Sequence, residues 1–420
     1  MLDIKLIREK PELVEANIMR RDDPVKLMLL KEAVQKDRSW REALKRVESL
    51  KREKNLVSAE ISKTKDATKI ARMREVGKEI DTLDMQVGLL EEETRNILMR
   101  LPNLLHESVP QGKDDSGNVT VKEWGHKPAF KFEPKDHIDI TVPRGLIDIE
   151  HAAKISGARF FFLKGQLALL DMALMHYAWD FMAKAGFTPV WPPFMMRRKP
   201  YEGVTDLNDF GDVLYKIEDE DLYLIATSEH PLTAQHMDEI LDAGNLPLLY
   251  AGLSTNFRKE AGTHGKDTKG IFRVHQFNKV EQIVMCRPEE SWKWHEKLIE
   301  NAEKFFQSLG LPYRVVNICT GDIGTVAAKK YDLEVWLPGQ GKYREAVSCS
   351  NCTDYQARRL NIRHREKEGV APSGFVHTLN STLVTDRGIV AIIENFQKED
   401  GSFEIPMVLQ PYMQGLKVIK

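Results

Sequence analysis

Residue types able to do chemistry cluster on either side of a glycine-rich loop between Ser254 and Glu281. Arg258 and Glu260 share one face of an expected strand, LLYAGLSTNFR, and Phe277 and Glu281 share one face of a second, RVHQFNKVEQIV. The loop between them carries Gly262, Gly265 and Gly270. With these come the cations Lys259, His264, Lys266, Lys269 and Arg273, and the acids Glu260 and Asp267. Backbone N–H groups and arginines in such a loop grip phosphate. An arginine, a carboxylate, an aromatic plate and a second carboxylate on paired strands can hold a nucleotide and a small ammonium-bearing molecule. The competing reading is a surface hairpin with a solvated charged loop.

Three further stretches carry candidate groups. LIATSEHPL holds Thr227, Ser228 and Glu229 just before an apolar helix, where Thr227 or Ser228 could equally be a helix cap. YREAVSCSNC holds Glu345, Ala346, Val347 and Ser348, followed by a lone Cys349-x-x-Cys352 pair. A tetrahedral zinc site needs four ligands and no second pair follows, so these thiols read as buried structural groups and no zinc is expected. VHTLNSTLVTDRGIVAIIENFQ reads as a strand, then Arg387, then an amphipathic helix. A lone arginine at such a junction can also be a salt-bridged surface residue.

The elements that must position these groups follow from periodicity. Residues 1–20 suggest a short helical segment, and Asp22-Asp23-Pro24 marks a helix start. From about 25 to 101 the chain is charged and poor in glycine. Met73, Val76, Ile80, Leu83, Val87, Leu90, Thr94, Ile97 and Leu101 repeat at 3-4 spacing, a coiled-coil seam. Trp40, Leu44, Val47, Leu50, Val57 and Ile61 form a less regular first half, and SKTKDATK (62–69) is the expected reversal. A long antiparallel helical hairpin follows, ended by Leu101-Pro102-Asn103. Residues 41–80 hold 12 Lys/Arg and seven acids, a net +5, whereas 81–100 hold two bases and five acids, a net −3. The rod is therefore basic toward its tip. It reads either as an ordinary solvated coiled coil or as an arm that contacts nucleic-acid phosphates through Lys51, Arg52, Lys54, Lys63, Lys65, Lys69 and Arg72. No aromatic side chains are interleaved there, so backbone and shape recognition is expected rather than base stacking.

Residues 106–130 read as a linker, and 131–420 as a second domain in which short apolar β-like runs outnumber helices. The fold class is α+β: the N-terminal hairpin domain (1–105) plus an antiparallel sheet flanked by helices. No GxGxxG occurs and AGTHGKD does not meet the Walker pattern, so doubly wound and P-loop nucleotide sites are disfavoured. Net charge is −2 over 420 residues, so nucleic-acid binding must rest on local patches rather than on overall charge. Four cysteines in so long a chain make no disulfide framework and suit a reducing, cytoplasmic setting. The apolar run Leu167–Met182 contains Asp171, His176 and Asp180, so membrane insertion is not expected.

The order FRKEAG, G-KDTKG, RVHQFNKVE resembles the second signature of class II aminoacyl-tRNA synthetases, and in this detailed form the seryl-tRNA synthetase family. HAAKISGARFFFLKG and the helix leading to GFTPVWPPF resemble that family's entry to the catalytic domain and its dimer-interface signature. The Arg387 stretch resembles its third signature. CSNC is typical of the family's common, non-zinc form. Asn380-Ser381-Thr382-Leu383 departs from the Asn-Gly-Ser-Gly of many members, and Asn-Ser-Thr occurs in archaeal and eukaryotic-like ones.

The resemblance implies a homodimeric enzyme that activates L-serine with ATP and Mg²⁺ and charges tRNA(Ser), and tRNA(Sec) where present, with no DNA or membrane partner. It implies that ATP is held by Arg258, Lys259, Glu260, Val274, Phe277, Glu345, Ala346, Val347, Ser348 and Arg387. Arg258, Glu345 and Arg387 act in catalysis, and Glu345 with Ser348 holds Mg²⁺. It implies that serine is held by Thr227, Ser228, Glu229, Arg258, Glu281, Asn380 and Thr382. Two other readings remain: a related ligase that charges a carrier protein, which residues 25–101 argue against, and a catalytically dead RNA-binding paralogue, which the complete Arg–Glu–Phe set argues against.

Overall fold

The computed structural model describes residues 1–207, 211–260 and 270–420. Gly262, His264, Gly265, Lys266, Asp267 and Lys269 of the expected phosphate loop lie outside the described residues. The chain forms two compact units, Met1–Leu104 and Leu105–Lys420.

The first unit is helical. After α1 (Ile4–Glu9) and α2 (Pro11–Met19) come two long helices, α3 (Pro24–Thr64) and α4 (Ala67–Arg100). Proline opens α3, and the Asp23 carboxylate accepts from the N–H groups of Val25 and Lys26, satisfying donors that a helix start leaves unpaired. The reversal is tighter than the sequence suggests. Lys65 adopts a left-handed conformation (φ 50°), and Asp66 caps α4 through the N–H groups of Thr68 and Lys69. Leu50 packs with Met73, Val76 and Ile80 in the seam, flanked by Val57 and Ile61. Ala43 is buried there, whereas Leu44 is only partly so. The one polar seam residue of α4, Thr94, satisfies its buried hydroxyl by donating to Leu90 O at 2.7 Å. Asp37 is also buried, and Arg8 and Arg41 both bond its carboxylate.

The second unit is built on an eight-stranded sheet. In chain order its strands are β1 (Val119–Trp124), β2 (Thr188–Val190), β3 (Leu248–Phe257), β4 (Gln276–Cys286), β5 (Tyr313–Asn317), β6 (Lys329–Leu337), β7 (Lys342–Asn351) and β8 (His377–Thr385). In space they run β1-β5-β6-β7-β8-β4-β3-β2, antiparallel throughout except for the parallel β2–β3 pair at one edge. The stretch 106–130, expected as a linker, supplies the other edge strand: Val119–Trp124 pair with Tyr313–Asn317. Its exposed valines hid it, because an edge strand lacks the apolar run of a central one.

Helices α5 (Gly165–Lys184), α7 (Ser291–Leu309) and α8 (Arg387–Asn395) share one apolar core with the sheet, in which Leu174, Phe305 and Ile392 join Val284, Leu333 and Leu383. The short helix α6 (Glu229–Ala234) lies by β3 and β4. No helix among the described residues is long and apolar enough to cross a membrane.

Candidate active site

Strand alternation sorts β4 into two faces. Val280 and Gln282 turn inward, where Gln282 meets Asn301 of α7. Phe277, Lys279 and Glu281 turn the other way, into a cavity of about 470 Å³. Register places Glu281 opposite Gly252 of β3 on one side and Thr382 of β8 on the other. Gly252 has a steric reason: a Cβ there would lie 2.8 Å from Ser228 Oγ and 2.5 Å from Leu232 Cδ1. Its absence lets α6 approach the sheet and bring Glu229 to the same cavity. On β7 a bulge near Leu333/Glu334 shifts the register, so that Glu345, Ala346 and Ser348 all line the cavity.

One part of the cavity is acidic and hydroxyl-rich. Lys279 Nζ lies 2.5 Å from Glu281 Oε2 and donates to Thr227 Oγ1 at 2.7 Å. The Thr382 hydroxyl donates to Glu281 Oε2 at 3.1 Å. Gln356 Nε2 donates to Glu229 Oε1 at 2.9 Å. Burial, and then the negative charge of Glu281, push the Glu229 carboxyl up to about 7. Cys352 and Asn380 complete this wall, with the Asn380 amide 3.7 Å from Cys352 Sγ.

Cations dominate the other part. The Glu345 side chain is half exposed, and although desolvation within the cavity would raise its pKa, Arg387, Lys330, Arg258 and Arg273 outweigh this and hold the carboxyl below its ordinary range. Arg387 donates from Nη1 to Glu345 O at 2.7 Å and from Nε to Phe272 O at 3.3 Å. Its guanidinium lies 4.5 Å from the Phe272 ring centroid and that of Arg344 lies 4.0 Å from it, so Phe272 braces two arginines. Arg273 donates to Glu260 at 2.8 Å.

Arg258 stands between the two parts. Its charge acts on both Glu229 and Glu345. Nε donates to Ala226 O at 3.2 Å, and the guanidinium sits 5.0 Å from the Phe277 centroid. Burial lowers the Arg258 pKa from its usual value.

Most residues named from the sequence therefore meet here: Thr227, Glu229, Arg258, Glu260, Val274, Phe277, Glu281, Glu345, Ala346, Ser348, Asn380, Thr382 and Arg387 all line the cavity. Three do not. Ser228 turns its hydroxyl to Gly252 O at 3.3 Å, because its neighbour Glu229 takes the cavity-facing direction. Val347 is fully buried in the core, as alternation from the cavity-facing Ser348 requires. Lys259 is exposed, its ammonium 5.8 Å from the Tyr215 ring. The cap reading is not met: Ser228 is the N-cap of α6 and makes no side-chain cap bond, and Thr227, one residue earlier, only accepts from Glu229 N at 3.1 Å.

Lys279 and Lys330 are cavity residues that the sequence reading passed over, and Arg273, named there only as a loop cation, lines the cavity with them. Two-residue alternation from Phe277 and Glu281 would have found Lys279. Lys330 carries no such signal, because β6 reaches the cavity only through its place in the sheet.

Glu345 and Ser348 suit a magnesium ion. Both are hard oxygen donors, Glu345 is held ionised, and two protein ligands leave the remaining positions of an octahedral shell to phosphate and water. Among the described residues no set of three acidic, histidine or cysteine side chains could hold a metal unaided.

At the tip of the helical hairpin, Arg52, Lys54, Lys63 and Lys65 are exposed. Lys51 pairs with Asp84 at 2.9 Å, Lys69 with Glu60 at 2.6 Å, and Arg72 lies 3.9 Å from Glu53. All seven residues belong to the first unit.

Residues 215–396 match the tRNA synthetase class II core domain (G, H, P, S and T), and residues 1–105 match the seryl-tRNA synthetase N-terminal domain. Serine--tRNA ligases of Thermococcus sibiricus and Methanocella arvoryzae are each 53% identical to the chain, over 100% of it and 97% and 100% of their own lengths. The crystal structure of seryl-tRNA synthetase from Pyrococcus horikoshii complexed with ATP superposes with a TM-score of 0.96 at 51% identity, covering 100% of this chain and 99% of that one. The cytoplasmic serine-tRNA ligase of Naegleria fowleri in complex with AMP gives 0.90 at 39% identity, with the same coverage. With both units matched and relatives aligned from end to end, the chain belongs to the seryl-tRNA synthetases.

Proposed function

We propose that the polarised cavity carries out ATP-dependent activation of L-serine, and that the seryl group then passes to tRNA. The observation that carries this reading is the position of Arg258, packed on Phe277 between the Glu229–Glu281 wall and the cluster of arginines around Glu345. One end suits a small zwitterion with a hydroxyl, and the other suits a polyphosphate.

The serine carboxylate attacks the α-phosphorus in line, the bond to the β-phosphate oxygen breaks, and pyrophosphate leaves. A terminal tRNA hydroxyl then attacks the seryl carbonyl, and AMP leaves. No protein nucleophile is needed; positioning and stabilisation of spreading phosphate charge supply the rate. Arg258 bridges the α-phosphate and the serine carboxylate. Phe277 stacks the adenine, Glu260, anchored by Arg273, accepts from its amino group, and Val274 and Ala346 border the nucleotide. Arg387 holds the γ-phosphate. Glu229, Glu281 and Thr227 receive the serine ammonium and hydroxyl, with Asn380 and Thr382 closing the pocket. Glu345 and Ser348 would hold Mg²⁺, which would neutralise phosphate charge when bound. Alanine is rejected because buried groups built to bond the hydroxyl are left unpaired.

The exposed apolar side chains Leu169 and Met172 of α5, with Trp191 beyond it, support a homodimer through this helix. The basic hairpin tip supports binding of tRNA(Ser), and of tRNA(Sec) where present, through backbone phosphates. The four unbridged cysteines support a reducing cytoplasmic setting.

ATP–pyrophosphate exchange with each of the twenty amino acids, without tRNA, tests the reading. Exchange with serine alone is expected. Exchange with another small amino acid would point to a carrier-protein ligase, and none from folded protein to an RNA-binding paralogue.

A further inference from the structure

Beside the adenine plate two carboxylic acids face each other, and one of them, Asp386, also lines the cavity. Asp171 lies in the middle of α5 and Asp386 at the junction of β8 and α8, and both are almost wholly buried. Asn278 of β4 ties them together. Its amide donates to Asp171 Oδ2 at 3.0 Å, and its backbone N–H donates to both Asp386 oxygens at 3.1 and 3.2 Å. Asp171 Oδ1 has no hydrogen-bond partner among the described residues, although the two carboxyls are within hydrogen-bonding reach of each other. Two ionised carboxylates cannot bond in this way; one with a proton can.

Among the described residues no cation offsets the charge. The adjoining pocket of about 130 Å³ is walled by Phe160, Phe161, Leu163, Gln276 and Phe277. Lys279 follows Asn278 but turns to the opposite face, toward Glu281. Arg387 follows Asp386 but reaches Glu345 and Phe272. His275 packs on Phe160 and bonds Arg258 O. Among the described residues, the groups acting on the pair are Asn278 and the two acids themselves.

We propose that Asp171 and Asp386 share one proton at neutral pH, and that this proton positions Phe277 and Arg387 for ATP. The two acids are positioning residues. Asp386 immediately precedes Arg387, and Asn278 immediately follows Phe277, so the pair ties the adenine plate to the phosphate-binding arginine through α5. Burial first, and then each acid's charge on the other, raises the affinity of both for protons. Loss of the shared proton puts two like charges in contact and drives α5 from the β8–α8 junction. The inference rests on the assignment of Phe277 and Arg387 to ATP.

Asp171→Asn supplies a permanent N–H in place of the shared proton and keeps an oxygen for the Asn278 amide. In pyrophosphate exchange, the wild-type KM for ATP should rise about fivefold or more as pH increases and the shared proton is lost, whereas the pH dependence of the KM for serine, set by Glu229, should be the same in wild type and in Asp171→Asn. In Asp171→Asn the ATP profile should be flat. A second readout needs no activity. The folded protein keeps a proton that the unfolded chain releases above the ordinary carboxylate range. Wild-type stability is therefore lost as pH rises from that range through the raised value. The apparent Tm of Asp171→Asn should gain on wild type steadily across that window. Parallel curves for the two proteins in either readout overturn the proposal. Phe277→Ala and Arg387→Ala serve as controls. If neither raises the KM for ATP, the assignment of those residues to ATP has failed, and the Tm comparison still judges the shared proton.

Discussion

Lys279 and Glu281, two residues apart on β4, both turn into the cavity and meet at 2.5 Å. Both are almost completely buried, so breaking the pair leaves an uncompensated charge in a dry site. Lys279→Met should lower unfolding stability by about 3 kcal/mol in denaturant titration. The double variant Lys279→Met with Glu281→Gln should recover most of that loss while serine activation stays abolished. Equal stabilities of the single and double variants would show that the pair is not coupled.

Glu229 gives the serine site its own pH dependence. Burial beside Glu281 raises its carboxyl to about 7, so it is protonated below that value and ionised above it. An ammonium prefers the ionised form. The KM for serine should therefore fall as pH rises from about 6 to 8, and Glu229→Gln should remove the slope. A serine KM independent of pH in the wild type would exclude Glu229 as the ammonium partner.

Arg258 is asked to stabilise charge that develops at the α-phosphate, where one lost donor in a water-poor site costs about 10²–10³-fold in rate. Arg258→Ala should lose adenylate formation by at least that factor, read as pyrophosphate exchange. Circular dichroism and thermal melting should stay near wild type, since among the described residues the side chain's one hydrogen bond is to Ala226 O. Near-normal exchange would refute the assignment.

The hairpin separates charging from activation. Deleting about residues 35–95 removes most of α3 and α4 and touches no cavity residue. Serine-dependent pyrophosphate exchange should persist and tRNA aminoacylation should disappear. In the intact chain, neutralising Arg52, Lys63 and Lys65 together should raise the KM for tRNA and flatten its salt dependence, as fewer counterions are released on binding. Unchanged charging by the deletion variant would remove any role for the hairpin.

Local patterns carried far in this chain. The 3-4 spacing from Met73 to Ile97 specified α4, and Asp23-Pro24 marked the start of α3, because helix periodicity and capping depend on neighbours in sequence. The alternation of Phe277 and Glu281 placed both on one face of β4 for the same reason. Edge strand β1 escaped notice because both of its faces are largely exposed and its partner, β5, lies nearly two hundred residues away.

What the sequence determined by itself was the inventory of reactive groups, the elements bearing them and the family they resemble. Tertiary structure alone decided which of those groups share a cavity. Gly252 admits α6 and so selects Glu229 over Ser228, and the β7 bulge aims Glu345 and Ser348 together. Only the layering of α5 against β4 and β8 sets Asp171 against Asp386, 215 positions later in the chain. Side-chain direction along a strand is local, but whether two strands or a helix meet depends on sheet order and register, which no short stretch of sequence encodes.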